Sequence, residues 1–180
     1  EWGQNPYWLK NRVLSSNKRY RAIASASANL HITDYFSLQA RGNVDYISDK
    51  FDNKMYATTA PNIAGKYEDK ENGRYIWSDS QEIQVYGDVM ALFNKEFDDF
   101  SLNTALGASI NMSKVNSLTI DSRLASLYKP NVFTVPNVVM DSKAAVNQSI
   151  DSKRTLQSVF ATMQWGWNGL LYLAITARND

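Results

Sequence analysis

Residues 36–46 read FSLQARGNVDY, and this stretch decides the fold. Its even positions hold only uncharged, mostly apolar side chains, whereas every odd position is polar. Successive side chains of a β-strand point to opposite faces of a sheet, so the alternation predicts a strand with one apolar and one polar face. At about 3.3 Å per residue the stretch extends roughly 36 Å, which is enough to cross a lipid bilayer at the usual strand tilt.

Five more stretches carry the same alternation, at residues 19–30, 82–93, 100–112, 158–165 and 171–178. The stretch at 82–93 is less regular, because Met90 and Leu92 fall on its polar side. Short turns at residues 31–35, 94–99 and 167–170 join neighbouring stretches, and the pair Asn168-Gly169 is a favoured hairpin turn. The sequence therefore predicts an all-β fold of antiparallel, up-and-down strands, with about six strands in three hairpins.

The composition favours strands and excludes several classes of site. Asp outnumbers Glu by 13 to 5 and 22 residues are aromatic, which favours turns and strands over helices. The lack of cysteine excludes disulfides and cysteine-ligated metals, and the single histidine, His31, excludes a multi-histidine metal site. A net charge of +1 argues against nucleic-acid binding. No apolar run approaches the length of about 18–20 residues that a transmembrane helix needs.

Two long connections separate the predicted hairpins, at residues 47–80 and 113–154. Compact water-soluble domains seldom contain connections of 34 and 42 residues without structure of their own. Outer-membrane barrels combine short turns at one end with long extracellular loops at the other. Because such a barrel needs at least about eight strands to close, six strands predict a segment of a longer chain.

Several short motifs resemble the SusC/RagA group of TonB-dependent outer-membrane transporters. They follow that family's order along the chain, and the most specific ones lie close to residue 180. The motifs are Asn5-Pro6-Tyr7-Trp8, Ile32-Thr33-Asp34-Tyr35-Phe36-Ser37-Leu38-Gln39-Ala40-Arg41, Val135-Pro136-Asn137, Ser158-Val159-Phe160, Leu171-Tyr172-Leu173 and Thr176-Ala177-Arg178-Asn179-Asp180.

The resemblance implies that residues 1–180 are an internal segment of a large, roughly 22-stranded transmembrane β-barrel. It implies active import of oligosaccharides or peptides across the bacterial outer membrane. A SusD-like surface lipoprotein would cap the barrel, and the TonB complex would supply energy through parts that are not in this chain. The plug domain and TonB box of the family are not found in residues 1–180. The resemblance implies no cofactor and no enzymatic activity.

The residues that we expect to contribute to function fall into two groups. The first group lies on the polar faces of the strands and is expected to face the barrel lumen, either as a generic hydrated wall or as a surface for substrate. The second group lies in the long connections, where aromatic rings either stack on sugar rings or contact a partner, or pin the connection to its neighbours. The lumen-facing candidates are Gln39, Arg41, Asn43, Asp45, Glu82, Gln84, Asp88 and Arg178, and the loop candidates are Tyr67, Tyr75, Trp77 and Phe133.

No catalytic constellation is predicted, since the chain has a single histidine. The adjacent residues Asp98 and Asp99 fit an ordinary turn. Two other functions are open on the residues alone. A passive outer-membrane porin would share the strand pattern, and only the family motifs argue against it. A water-soluble β-sandwich that binds carbohydrate through its loop aromatics would predict that residues 1–180 alone express as a monodisperse soluble domain.

Overall fold

The computed structural model describes residues 4–64, 72–122, 127–140 and 145–180. Six strands form one sheet in chain order, each paired with the next, and the last pair is antiparallel. The strands are β1 (Val13–Thr33), β2 (Phe36–Met55), β3 (Arg74–Phe97), β4 (Phe100–Asp121), β5 (Val146–Trp167) and β6 (Leu171–Asn179). Three short helical elements accompany them: α1 (Pro6–Arg12), α2 (Pro61–Ala64) and a 3-10 turn (Val135–Asn137).

The predicted all-β fold, with six strands in three hairpins, is confirmed. Most strands are longer than their alternating cores, and β2, β3 and β4 contain 20, 24 and 22 residues. β2 ends at Met55 and β3 begins at Arg74, while β4 ends at Asp121 and β5 begins at Val146, so these strands extend into the residues 47–80 and 113–154 predicted as long connections. The strands continue past the alternating cores because ladder hydrogen bonds join backbone groups and do not require apolar side chains.

The three hairpin turns are tighter than the sequence predicts. They occupy residues 34–35, 98–99 and 168–170. Asp98, Asn168 and Gly169 adopt positive φ angles of 40°, 50° and 68°. Asp, Asn and Gly tolerate this left-handed backbone better than other residues, so the Asn-Gly turn forms where the sequence predicts it.

Helix α1 was not predicted, although its start carries a recognisable signal. Asn5 is the N-cap residue, and its side-chain oxygen accepts a hydrogen bond from the Tyr7 N–H at 2.8 Å. Pro6 follows at the first helical position, where its missing N–H costs nothing. The pair Asn5-Pro6 therefore specifies a helix start that the surrounding strand pattern obscured. None of the helices among the described residues is long and apolar enough to cross a membrane.

The chain divides into two compact units. The first unit comprises Glu1–Arg21, Ile47–Glu82 and Val115–Ser152, and the second comprises Ala22–Tyr46, Ile83–Lys114 and Lys153–Asp180. In the first unit a hydrophobic core forms around Tyr75, Ile120, Leu127 and Val138. Partly buried side chains of Trp77, Leu118, Phe133 and Val135 pack against this core.

The second unit leaves large apolar side chains open. Val89, Leu106 and Leu173 are 58%, 56% and 50% exposed, and all three belong to the apolar series predicted from alternation. An exposed apolar surface of this kind requires a partner, because contact with water is unfavourable. The described residues form a single sheet, so no second sheet covers this surface as a β-sandwich would require.

An apolar spot on the polar series of the second unit explains the irregular alternation there. Phe160 and Met90 lie on either side of Gly107, and a Cβ on Gly107 would overlap the Phe160 ring and come within 3.0 Å of Met90 Cγ. A glycine is needed because only a residue without a side chain lets the ring lie against the backbone. Met90 and Phe160, both half-buried, therefore pack against the backbone of Gly107 on the polar series.

Candidate functional site

An ion pair between adjacent strands is the centre of the polar surface in the second unit. Arg41 on β2 donates from Nε to both carboxylate oxygens of Asp88 on β3, at 3.0 and 3.1 Å. Its Nη2 lies 3.0 Å from Oδ2 of the same carboxylate. The Asp88 side chain is fully buried, whereas that of Arg41 is 47% exposed. The two predicted lumen-facing residues are thus brought together, 47 positions apart in sequence.

Two further side chains complete this group, which we call the polar cluster: Arg41, Tyr86, Asp88 and Ser109. Tyr86 hydrogen-bonds to Asp88 and also to Ser109 on β4. The buried carboxylate is therefore held by a guanidinium and a phenol, as a charge removed from water requires. Tyr86 and Ser109 were not among the predicted site residues, although both fall on the polar series of their strands.

The exposed half of Arg41 allows the polar cluster to donate hydrogen bonds to other molecules. A guanidinium has five N–H donors in a planar fork, and Asp88 engages only one edge of it. The other edge can donate charge-assisted hydrogen bonds to a carboxylate or a backbone carbonyl. Arg41 Nη2 also lies 4.0 Å from Met90 Sδ, so among the described residues Nη1 is the part of the fork that remains for another acceptor.

An open concavity of about 940 Å³ in the second unit is lined by residues of both side-chain series, most of them from the apolar series that contains Val89. All six strands contribute to its lining, mostly with small side chains, which leave the space open. Its lining includes Arg41 and Asp88 together with Ala26, Ala40, Gly42, Gly87, Ala108, Ser109, Gln157 and Ser158.

The remaining lumen-facing candidates are spread over both units. Gln39 and Asn43 share the odd series of β2 with Arg41, and Asp45 follows on the same series. Arg178 on β6 donates to Ser158 Oγ at 3.0 Å and pairs with Asp180 at 2.6 Å. Glu82 belongs to the first unit and Gln84 to the second. These positions agree with a polar strand face, and their exposure to a lumen stays a prediction.

The first unit has its own surface ion pair, which contrasts with the buried one. Arg19 on β1 donates from Nε and Nη2 to the two oxygens of Asp49 on β2, at 2.6 and 2.7 Å. The side chains are 65% and 30% exposed. Exposed pairs of this kind contribute about 0–1 kcal/mol, because water solvates both charges well.

The loop candidates Tyr75, Trp77 and Phe133 belong to the hydrophobic core of the first unit. Tyr75 is 5% exposed, and the Phe133 ring centroid lies 5.0 Å from that of Tyr56 and 6.0 Å from that of Tyr75. In this arrangement the rings pack the second long connection against β3 and β4, and a contact of these residues with a ligand or partner stays a prediction. Tyr67 lies outside the described residues.

The polar groups of Tyr75 are also engaged. Its hydroxyl donates to Asp52 Oδ2 at 3.1 Å, and its backbone N–H donates to Ser122 Oγ at 2.8 Å. Burial, followed by the nearby Asp52 carboxylate, raises the pKa of Tyr75 to about 12. The phenol therefore stays neutral and serves as a hydrogen-bond donor throughout the ordinary pH range.

Asn137 organises the segment that covers this core. Its side-chain oxygen accepts from the Lys129 N–H at 2.9 Å, and its amide nitrogen donates to the carbonyls of Lys129 and Val132 at 2.8 and 2.7 Å. These bonds satisfy a side chain that is only 7% exposed. Sequence reasoning missed this role, since Asn137 stood out only within the family motif Val135-Pro136-Asn137.

No group of three or more His, Cys, Asp or Glu side chains among the described residues could hold a metal ion. The contacts of the polar cluster are hydrogen bonds and a single ion pair. Such contacts suit binding and positioning of polar groups.

Comparison with known proteins gives a structural likeness without a sequence match. No protein-family model matches the chain, and no curated protein matches it. Chains of the RagAB peptide importer are similar in structure, in the open-open state (TM-score 0.71, 13% identity) and in the closed-closed state (TM-score 0.67, 15% identity). A chain of the RagAB peptide transporter is similar at TM-score 0.69 and 13% identity.

The likeness covers 97% of this chain in the open-open structure but only 18% of the importer chain. At this level of identity it shows the fold alone. The six-stranded sheet has the fold of one part of a transporter chain, which confirms at the level of fold the resemblance predicted from the motifs. This chain spans about a fifth of the length of the chains that it matches.

Removal of Arg41 should destabilise the protein more than removal of Asp88. In Arg41→Gln the buried carboxylate loses its counter-charge and keeps only the hydrogen bond from Tyr86, so the free energy of unfolding should fall more than in Asp88→Asn. In Asp88→Asn the half-exposed Arg41 side chain can turn towards solvent, so we expect a loss of about 1–2 kcal/mol. Unfolding of the full-length protein and its two variants in guanidinium chloride measures both losses of stability. Arg19→Gln is the matched control at the exposed pair, with an expected loss below about 1 kcal/mol; equal losses for Arg41→Gln and Arg19→Gln would contradict the burial of Asp88.

Tyr75 should make stability fall at high pH. Its folded pKa of about 12 lies above the ordinary value of 10.0, so the folded state binds the phenol proton more tightly than the unfolded state. The resulting stabilisation is fully present below pH 10 and is lost as the pH rises towards 12, at roughly 1.4 kcal/mol per pKa unit. The free energy of unfolding, measured from pH 8 to about 12, should fall more steeply in the full-length protein than in its Tyr75→Phe variant. Parallel curves for the two proteins would contradict this account.

Proposed function

We propose that residues 1–180 form part of the barrel wall of a TonB-dependent active transporter in the bacterial outer membrane. The observation that carries this proposal is the likeness of the six-stranded sheet, over 97% of the chain, to chains of the RagAB peptide importer. The family motifs identified in the sequence support the same function independently of the three-dimensional likeness.

The strand dimensions support a position across the membrane. At about 3.3 Å per residue, a strand of 20 residues such as β2 extends roughly 66 Å, and at the usual tilt it rises more than the about 30 Å of a bilayer core. The exposed apolar side chains of Val89, Leu106 and Leu173 then contact lipid chains and not water. The lipid bilayer is thus the partner that the apolar surface of the second unit requires.

The polar cluster contributes to the opposite surface in this proposal. Polar lumen walls are general in large barrels, because the lumen is filled with water or protein. Arg41, fixed by Asp88, presents Nη1 of its guanidinium towards that space, and Gln39, Asn43 and Arg178 extend the polar series. These residues bind water along the wall and offer hydrogen bonds to the polar groups of molecules that pass through the lumen or lie in it.

The substrate and partner assignments rest on the likeness and on the family motifs together. RagAB is described as a peptide importer, so a peptide or an oligosaccharide is the proposed substrate class. The proposed partners are a SusD-like lipoprotein that caps the barrel and a TonB complex that supplies energy. The TonB complex acts through parts of the full-length protein that are not in residues 1–180. In this function the protein moves its substrate without chemical change.

Energy dependence of uptake separates this proposal from a passive porin. Cells that produce the full-length protein should accumulate labelled oligopeptides or oligosaccharides, and deletion of TonB or addition of a protonophore should reduce accumulation to the level of cells without the protein. A passive pore has no such requirement, so undiminished uptake in cells without TonB would refute active transport. Recovery of the full-length protein in the soluble fraction would refute the membrane position itself.

A further inference from the structure

Backbone hydrogen bonds tie the first short turn of the second unit to β3 and the last short turn to the middle one. The Asn94 N–H at the end of β3 donates to the Tyr35 carbonyl of the first turn, at 2.9 Å. The Asn168 N–H of the last turn donates to the Asp99 carbonyl of the middle turn, at 2.6 Å. These bonds fix the turn backbones, so the side chains that they carry are presented in a defined arrangement.

Aromatic rings gather at this end of the sheet and stay accessible. Tyr35 packs edge-on against Phe93 with ring centroids 5.5 Å apart, and Phe100 stacks on Trp165 at 5.6 Å. Tyr35, Phe97, Phe100 and Trp167 are each 42–46% exposed. Tyrosine and tryptophan rings with one apolar and one polar part are favoured where a membrane surface meets water.

Lys95 is the charged side chain within this aromatic group. Its Nζ lies 4.8 Å from the ring centroid of Tyr35 and 4.9 Å from that of Phe97, so both rings hold the ammonium by cation–π contact. No carboxylate of the described residues lies within ion-pair distance of Lys95. The odd series of β3 from Ile83 to Phe97 otherwise holds only uncharged residues, and Glu96 falls on the opposite face. The ammonium therefore lies on the apolar series without an acidic partner there.

We propose that Lys95, clamped by Tyr35 and Phe97, binds the phosphate of a phospholipid headgroup at the short-turn end of the sheet. The inference rests on the proposed membrane position, in which the apolar series contacts lipid chains. A lysine at the edge of such a surface extends its ammonium to the headgroup level. There a phosphate supplies the negative charge that the protein side does not, while the rings of Tyr35 and Phe97 contact the uppermost part of the acyl chains.

The contact of Lys95 with the rings of Tyr35 and Phe97 favours anion binding by restricting the lysine side chain beforehand. A free lysine side chain loses several rotatable bonds when it binds an anion, which weakens binding. Two rings that already restrict Nζ reduce this loss before the lipid arrives. The carboxylates in the turns, Asp34, Asp98 and Asp99, repel anions in bulk solution, so binding should require the acyl chains as well as the phosphate.

Native mass spectrometry of the full-length protein in neutral detergent tests this inference, with phosphatidylglycerol and phosphatidylcholine as probes. Lys95→Gln should weaken phosphatidylglycerol binding about fivefold, the effect of one basic group near an anionic lipid surface. Lys95→Arg should preserve binding, because a guanidinium also stacks on aromatic rings. Lys129→Gln removes an exposed lysine from the second long connection and should leave binding unchanged.

A second readout locates the lipid. Phosphatidylglycerol with brominated acyl chains should quench the fluorescence of the full-length protein less when Trp165 is replaced by Phe, because Trp165 stacks within the aromatic group. Equal lipid affinities of the protein and its Lys95→Gln variant would overturn the inference, and so would competition by millimolar inorganic phosphate. Membrane fractionation of the unmodified protein and of the same variants keeps the two claims separate. Absence of the unmodified protein from the membrane fraction would refute the proposed function, whereas the lipid affinities decide the inference about Lys95.

Discussion

Along every strand of this sheet, side chains of an apolar series alternate with side chains of a polar series, and the two series point to opposite faces. The constraint is strict, because a shift of one residue would move every apolar side chain to the wrong face. It explains why Val89 and Leu106 stay exposed in the second unit while the carboxylate of Asp88, adjacent to Val89 in sequence, is fully buried. Pairing of Asp88 with Arg41 is needed because the polar side of the sheet also excludes water locally.

The two units satisfy this constraint in different ways. In the first unit a folded connection, organised by Asn137, covers apolar side chains and creates a conventional core around Tyr75 and Leu127. In the second unit the apolar series has no protein cover among the described residues, and in the proposed function the lipid bilayer covers it. The aromatic group with Lys95 belongs to this uncovered surface and is best understood as its contact with lipid headgroups.

The sequence was informative wherever alternation was regular. It predicted the central parts of all six strands, the three turns and the polar series that contains Arg41 and Asp88. It missed the strand ends, because polar residues on both faces, as in Ser48-Asp49-Lys50, remove the period while backbone pairing continues. Partners such as Arg41 and Asp88 depend on strand register, and the burial of Tyr75 depends on a connection that folds back from residues 127–138. Neither feature is encoded in a local pattern.

Accessibility of single cysteines along β2 tests the two-faced strand most directly. Residues 1–180 contain no cysteine, so cysteines placed one at a time at residues 38–45 give an unambiguous signal once any cysteine elsewhere in the full-length protein is replaced. In outer membranes, a small water-soluble maleimide should label positions 39, 41, 43 and 45, while positions 38, 40, 42 and 44 should be protected by lipid. Uniform labelling of both series would contradict a strand that divides lipid from a polar interior.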